Sequence, residues 1–190
     1  MRQFAETVGL QQPHVVGHSM GGMIALDLAA SHPEWVRRLV VINPVVTGQI
    51  RFPLPSLSKR PARLPLLALA RPGWPSALRF AVQHPASAVQ STLSLRRNVQ
   101  DMLKATVDSA FGGLQAIADY DTTPKLSRIS APTLVVVGEH DPAVSPAEGR
   151  LAAARIPNAR LEAWPGGHHV FEERPREFRA LLSAFLAAPD

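Results

Sequence analysis

The sequence predicts an α/β fold built on a parallel sheet, and two observations support this prediction. Short apolar runs rich in β-branched residues alternate with segments whose apolar residues recur at helical spacing. Proline, glycine or polar turns bound most of the apolar runs. Strands that alternate with helices in this way are typical of sheets in which neighbouring strands run parallel.

Four elements are predicted in the first part of the chain. They are a helix over 2–10, a strand HVVGH at 14–18, a helix at 20–31 and a strand RRLVVINP at 37–44. Pro13 closes the first helical segment, and His32-Pro33 ends the second. A residue before proline avoids the helical region, so both boundaries have a steric cause.

Four more elements are predicted near the end of the chain. They are a strand over 131–142 that ends in a polar turn, a helix with its exit over 151–159, a strand leading into a glycine turn over 160–169, and a helix over 173–187. The last helix carries an apolar stripe with helical spacing, formed by Phe178, Leu181, Leu182, Phe185 and Leu186.

Residues 45–125 interrupt this alternation. Prolines cluster in the segment, and its apolar stretches have no strand character. The pattern predicts a helical cap over 45–125, inserted into a core formed by 1–44 and 126–190. The cap sequence is apolar, which suggests a hydrophobic acyl or aromatic substrate.

Composition excludes several classes of protein. The 190 residues are 46% hydrophobic and 18% charged, which fits a globular chain. There are no cysteines, so disulfides and thiolate chemistry are impossible. No apolar run reaches the length of a membrane span, and the start lacks the apolar core of a signal peptide, so we expect a cytoplasmic protein without membrane contact. The net charge is +5, but the arginines are scattered among acids, so no nucleic-acid partner is expected.

The motif GHSMGG places Ser19 between a strand and a helix. Gly-x-Ser-x-Gly alone is a weak signal, but this context is the one that a strained nucleophile elbow requires. Such a bend brings the residues two before and two after the serine close together, so both positions require small residues. Gly17 and Gly21 occupy these positions. Gly22 would let the helix pack tightly. The Met20 N–H, next after Ser19, is placed to bind a developing oxyanion.

A base and an orienting acid are available at two other strand ends. Asp141 follows the third predicted strand, and His168 and His169 follow the fourth. Because the carboxyl ends of parallel strands share one edge of the sheet, we expect these groups to meet Ser19 there. The chain order is Ser, Asp, His.

With these motifs the chain resembles the α/β-hydrolase superfamily. GHSMGG is similar to its elbow, PTLVVVGEHDPAVSP to its acid strand and turn, and GGHHVFEERPREF to its histidine loop and last helix. The resemblance implies catalytic Ser19, Asp141 and His168, with no metal and no organic cofactor. His168 is favoured over His169 because the family's base follows a glycine directly. Asn43 ends the second strand, where some relatives carry the acid, but an amide cannot serve in that role.

The resemblance begins midway through the family's fold. Only 13 residues precede HVVG, where the family has about four further strands and the loop with the second oxyanion donor. We therefore expect a partial α/β-hydrolase fold in which the elbow strand is a sheet edge. Such an edge invites self-association.

The sequence predicts a serine hydrolase acting on a carboxylic ester or related acyl compound. Thioester, lactone, carbon–carbon bond hydrolysis and cofactor-free haloperoxidase chemistry stay open. The alternative is a truncated, catalytically impaired remnant or a non-catalytic interaction module.

Overall fold

A computed structural model describes residues 2–51 and 107–189. The chain divides into two compact units, Met1–Ile50 with Tyr120–Asp190, and Arg51–Asp119. The cap predicted over 45–125 falls largely on residues 52–106, which lie outside the described residues, so it stays a prediction.

The described elements alternate between strand and helix along most of the first unit. The strands are β1 (His14–His18), β2 (Arg38–Ile42), β3 (Thr133–Gly138) and β4 (Ala159–Trp164). The helices are α1 (Arg2–Thr7), α2 (Met20–Ser31), α3 (Val107–Ala118), α4 (Pro146–Arg155), α5 (Val170–Glu173) and α6 (Pro175–Ala187), and a 3-10 helix covers Thr123–Arg128. Helix α3 belongs to the second unit.

The strands form one parallel sheet in the order β1-β2-β3-β4 within the described part of the chain. The register pairs His18 with Ile42, Ile42 with Val136, and Gly138 with Trp164. The carboxyl ends of all these strands therefore lie along one edge of the sheet. The predicted parallel α/β fold is confirmed.

The core of the first unit lies on both faces of the sheet. On one face, alternate residues of β2 and β3 pack with Leu26 of α2 and Ala152 of α4. On the other face, the intervening residues pack against Val170 and the apolar stripe of α6. Every residue of β2 and β3 is buried because both faces are covered, as expected for the inner strands of a parallel sheet.

Helix α1 ends at Thr7, three residues before its predicted limit. Two further helical segments differ from their predicted limits for local steric reasons. Helix α4 begins at Pro146, before the predicted start at 151, because a proline suits the first helical position. The last helical segment is split at Arg174, whose φ of −129° and ψ of 58° are not helical. Pro175 follows Arg174 and disfavours the helical region there.

Candidate active site

Ser19 occupies a sharp bend between β1 and α2. Its φ is 55° and its ψ is −120°, a left-handed conformation that is rare for a residue with a side chain. Strain of this kind costs on the order of 1–3 kcal/mol and persists only where surrounding structure enforces it. Here the Ser19 N–H donates to Ile42 O at 3.0 Å, and Ser19 O accepts from Gly22 N at 3.0 Å. The backbone on both sides of the bend is thereby fixed.

The glycines around the bend have different roles. A Cβ at Gly17 would lie 2.7 Å from the carbonyl carbon of Gly21 and 2.9 Å from Ala25 Cβ, closer than real Cβ contacts. A Cβ at Gly22 would lie 2.9 Å from Pro44 Cβ. A Cβ at Gly21 would meet no atom within 4 Å. Gly21 therefore contributes its backbone to the crowding, and the space restriction applies to Gly17 and Gly22.

Met20 is the first residue of α2. The N–H groups of a helix's first turn have no acceptor within the helix, and the helix dipole places partial positive charge there. The Met20 N–H is one of these groups, and Met20 directly follows Ser19 in the chain.

Asp141 lies in the turn that follows β3, and its side chain has 0% exposed surface. Oδ1 accepts the backbone N–H groups of Ala143 at 2.7 Å and Val144 at 2.9 Å. Oδ2 lies 2.7 Å from His168 Nδ1. Burying a carboxylate is costly unless its oxygens are hydrogen-bonded, and here both oxygens have partners.

This contact determines the tautomer of neutral His168. A carboxylate can only accept, so the proton of the Asp141–His168 hydrogen bond belongs to His168 Nδ1. Nε2 then carries a lone pair and can take a proton. The His168 side chain is 14% exposed, so the ring lies at the surface end of a buried pair.

The structure joins Asp141 to His168 directly, and it places Ser19 at the same edge of the sheet. No described residue forms a hydrogen bond with Ser19 Oγ, so Ser19 and His168 do not make a direct contact of that kind. They are linked through His18, whose ring centroid lies 4.6 Å from that of His168.

His169 has a different environment from His168. Its Nδ1 is buried with no hydrogen-bond partner among the described residues, and the nearest carboxylate oxygen, Glu172 Oε2, is 3.8 Å away. Burial, followed by the nearby His168, lowers the pKa of His169. The observed carboxylate contact of Asp141 is with His168.

Two polar residues at the site had no predicted role. His18 Nε2 lies 2.8 Å from the main-chain oxygen of His168. Asn43 Nδ2 donates to the same oxygen at 2.8 Å and to Gly167 O at 3.2 Å, while its Oδ1 accepts Gly138 N–H at 2.7 Å. The available signal was position, since His18 is the last residue of β1 and Asn43 directly follows β2 at the site edge.

Among the described residues there is neither a cluster suited to a metal ion nor a helix suited to cross a membrane. Within 2–51 and 107–189, no three or more histidine or acidic side chains are placed to hold a metal ion. In the same ranges, no helix combines the length and the apolar character that a bilayer crossing requires.

Comparisons with known proteins agree with this architecture. The chain is 30% identical over 199 residues to a 2-hydroxymuconate semialdehyde hydrolase from Pseudomonas putida, covering 97% of this chain and 66% of the relative. It is 25% identical over 180 residues to 3-oxoadipate enol-lactonase 2 from Acinetobacter baylyi, covering 93% of this chain and 64% of that protein. The chain thus spans about two thirds of the length of these curated relatives.

A solved structure of a hydrolase from Pseudomonas aeruginosa PA01 matches with a TM-score of 0.79 and 27% identity, covering 98% of this chain and 69% of that one. A family model described as alpha/beta hydrolase fold matches residues 1–175. The relatives compared above are hydrolases, and the chain belongs to the alpha/beta hydrolase family.

Proposed function

We propose that this chain carries the catalytic residues of a serine hydrolase that acts on a carboxylic ester or a related acyl compound. Ser19 is the nucleophile, His168 is the general base and acid, and Asp141 orients His168. The Met20 N–H contributes to the oxyanion hole. No metal or organic cofactor takes part in this chemistry.

The observation that carries the proposal is the Asp141–His168 pair at the edge of the sheet where Ser19 is strained. The carboxylate is fully buried, held by two backbone N–H groups and 2.7 Å from His168 Nδ1. An ion pair on the protein surface contributes little to stability. A base that must keep one tautomer through a reaction benefits directly from such a buried contact.

The reaction follows from these positions. Ser19 Oγ attacks the acyl carbon while His168 Nε2 takes its proton. The N–H groups at the start of α2 stabilise the negative charge on the acyl oxygen. His168 then protonates the leaving group as its bond to the acyl carbon breaks. Water, deprotonated by His168, attacks the acyl-enzyme, and His168 returns that proton to Ser19 Oγ as the acid is released. Removing one oxyanion donor typically costs about 100- to 1,000-fold in rate, so Met20 N–H is a substantial part of the proposal.

The substrate class we propose is a small hydrophobic acyl or aromatic compound. The relatives include a semialdehyde hydrolase and an enol-lactonase, named for small organic substrates. Because the chain spans about two thirds of their length, the activity of the whole protein is part of the proposal.

The direct test is covalent labelling with a fluorophosphonate, which reacts with activated serines. Wild type, Ser19→Ala and Ser183→Ala are compared, because Ser183 is exposed on α6 and distant in sequence from the elbow. We expect one adduct, located to the Ser19 peptide by mass spectrometry, in the wild type and in Ser183→Ala only. Hydrolysis of a short nitrophenyl ester should show the same pattern.

The opposite result has a clear meaning. A folded wild-type chain that takes no label at Ser19 would contradict the proposal. It would support the alternative of an impaired remnant or a non-catalytic interaction module.

A further inference from the structure

The main-chain oxygen of His168 accepts two side-chain donors, and neither is assigned a role above. His18 Nε2 and Asn43 Nδ2 each lie 2.8 Å from it. We propose that His18 and Asn43 form a carbonyl clamp that positions His168 against Ser19, and this proposal rests on the proposed function. The two residues act through His168 and are positioning residues.

The clamp acts on a segment that has little conformational restriction of its own. His168 follows Gly166 and Gly167, and glycine populates more of backbone space than any other residue. The segment is held mainly by polar contacts: His140 N donates to Gly166 O at 2.9 Å, and Gly167 N donates to Glu173 at 3.1 Å. The base must keep its place to well under about 1 Å for efficient proton transfer.

Asn43 ties this segment to two strands. It directly follows β2 and has a φ of 42°, a conformation that asparagine tolerates better than most residues. Its Oδ1 accepts from Gly138 N at the end of β3, and its Nδ2 donates to Gly167 O and His168 O. Asn43 is only 2% exposed, so these hydrogen bonds are shielded from competing water. The amide thus holds the histidine segment against the buried centre of the sheet.

His18 ties the same oxygen to the elbow. It directly precedes Ser19, so its donor sets the separation between the nucleophile's strand and the base. The acceptor is a carbonyl, so His18 Nε2 must carry the proton. The titratable groups that act on His18 are His168, His169 and Asp141, and burial keeps the pKa of His18 at about 4. Neutral His18 donates its hydrogen bond without adding positive charge beside His168.

The two donors share one acceptor, which predicts how their removal should combine. With either donor lost, the other still holds the oxygen. With both lost, no side chain donates to that oxygen, while the Asp141–His168 contact and the contacts on the glycines remain. The loss of rate in the double variant should therefore exceed the product of the losses in the two single variants.

The test compares two His18 variants of similar size. His18→Gln keeps an N–H donor near the Nε2 position, whereas His18→Met has no donor. We expect His18→Met to slow the fluorophosphonate reaction of Ser19 by about five-fold and to lower kcat for a nitrophenyl ester more than it changes KM. His18→Gln should recover most of the rate. His14→Leu, an exposed position at the other end of β1, serves as the matched control and should react like the wild type.

The double variant supplies the second measurement. Asn43→Ala alone should slow labelling by about five-fold, and His18→Met with Asn43→Ala should slow it by about 100-fold. The far-downfield proton resonance of His168 Nδ1–H should broaden in step, which a loss of stability alone would not cause in a folded variant. If Asn43→Ala does not fold, the His18→Met and His18→Gln pair still decides the question.

The outcomes separate this proposal from the proposed function. If wild type labels at Ser19 and His18→Met matches it in rate and in the His168 resonance, the clamp is overturned and the hydrolase proposal stands. If wild type does not label but the resonance is lost in His18→Met and kept in His18→Gln, the clamp stands as a structural device and the hydrolase proposal fails.

Discussion

Ser19 and Asp141 stand at the ends of two strands of the same sheet, yet they are held by different means. Asp141, with His168, forms the proposed acid–base half, in which hydrogen bonds of 2.7–2.9 Å hold both oxygens of a buried carboxylate. Ser19, with Gly17, forms the proposed nucleophile half, in which the strained backbone of Ser19 and the absence of a side chain at Gly17 set the geometry. The acid–base half depends on which polar groups the side chains carry, and the nucleophile half depends on the absence of a side chain at Gly17.

The burial of their strands follows the same division. β3, which leads to Asp141, is buried throughout. β1, which leads to Ser19, is the outer strand of the described sheet and alternates between exposed and buried residues. Asp141, which follows this inner strand, can be buried because its own turn and His168 supply hydrogen-bond partners for the carboxylate. The outer strand leads instead to Ser19, which is half-buried.

Asp141→Asn should produce the largest effect and should act on chemistry alone. The amide keeps an acceptor for Ala143 N and Val144 N, but its NH₂ group faces His168 Nδ1 and forces the proton onto Nε2. His168 can then no longer accept the Ser19 proton, and we expect kcat to fall by about 10⁴-fold. Steady-state hydrolysis of a nitrophenyl ester measures the loss.

The matched control is Glu139→Gln, two residues away, where the exposed carboxylate pairs with Arg150. An exposed pair contributes little, so its activity should be within about two-fold of wild type. If Glu139→Gln lost as much activity as Asp141→Asn, the assignment of the acid would be wrong.

Gly17→Ala should disrupt the nucleophile half by a steric clash. The new methyl would lie 2.7 Å from the Gly21 carbonyl carbon, and the helix backbone there cannot move away easily. We expect a loss of about 1–3 kcal/mol in the free energy of unfolding, together with loss of labelling at Ser19. Urea unfolding followed by circular dichroism measures the stability change.

Gly21→Ala is the control because a Cβ there meets nothing within 4 Å. Alanine is a better helix former than glycine, so this variant should gain up to about 1 kcal/mol. Equal destabilisation by both alanines would contradict the division of roles among the glycines.

Lowering the pH should destabilise the protein through His18, the histidine that lies between the two halves. Burial above all lowers the pKa of His18 from 6.5 to about 4. Between these values the unfolded chain binds a proton at His18 that the folded chain does not, so stability falls as the pH falls through this window. The loss attributable to His18 is about 2 kcal/mol between about pH 7 and about pH 5.

His18→Gln removes this titration while keeping a donor. Urea unfolding at the two pH values should show a smaller decrease for His18→Gln than for wild type and for the exposed control His14→Gln. An identical decrease in all three proteins would show that His18 is not a buried neutral group.

The smallest effect on stability is expected at the outer strand. We propose that the chain self-associates through β1, where Val16 is 49% exposed. Val16→Lys should shift the chain toward monomer in size-exclusion chromatography while changing the free energy of unfolding by less than about 0.5 kcal/mol. Val16→Ile keeps an apolar residue and should elute like wild type, and equal elution of all three would contradict pairing through this strand.

Local pattern was sufficient to predict most of the fold. The β-branched runs predicted β1, β2 and β3, and β4 was predicted as the strand leading into a glycine turn. The helical spacing from Met20 to Ser31 matches α2 in both limits. The parallel order also followed, because helices separate the strands and only a parallel sheet accommodates such crossovers. The placement of Asp141 and His168 at one sheet edge was predictable for the same reason, since it depends only on which residues follow the strands.

Tertiary structure alone decided how the polar groups at that edge are connected. Asn43 and His18 donate to a backbone oxygen 125 and 150 residues away in sequence. Glu148, typical of a solvent-exposed helix residue, is buried and accepts the N–H groups of Val46 and Thr47 at 2.7 Å. Such contacts leave no periodic trace, because a backbone carbonyl has the same chemistry at every position. Hydrophobic spacing and turn residues determine which elements form, whereas a buried polar side chain acquires its partner only when the packed elements bring one within reach.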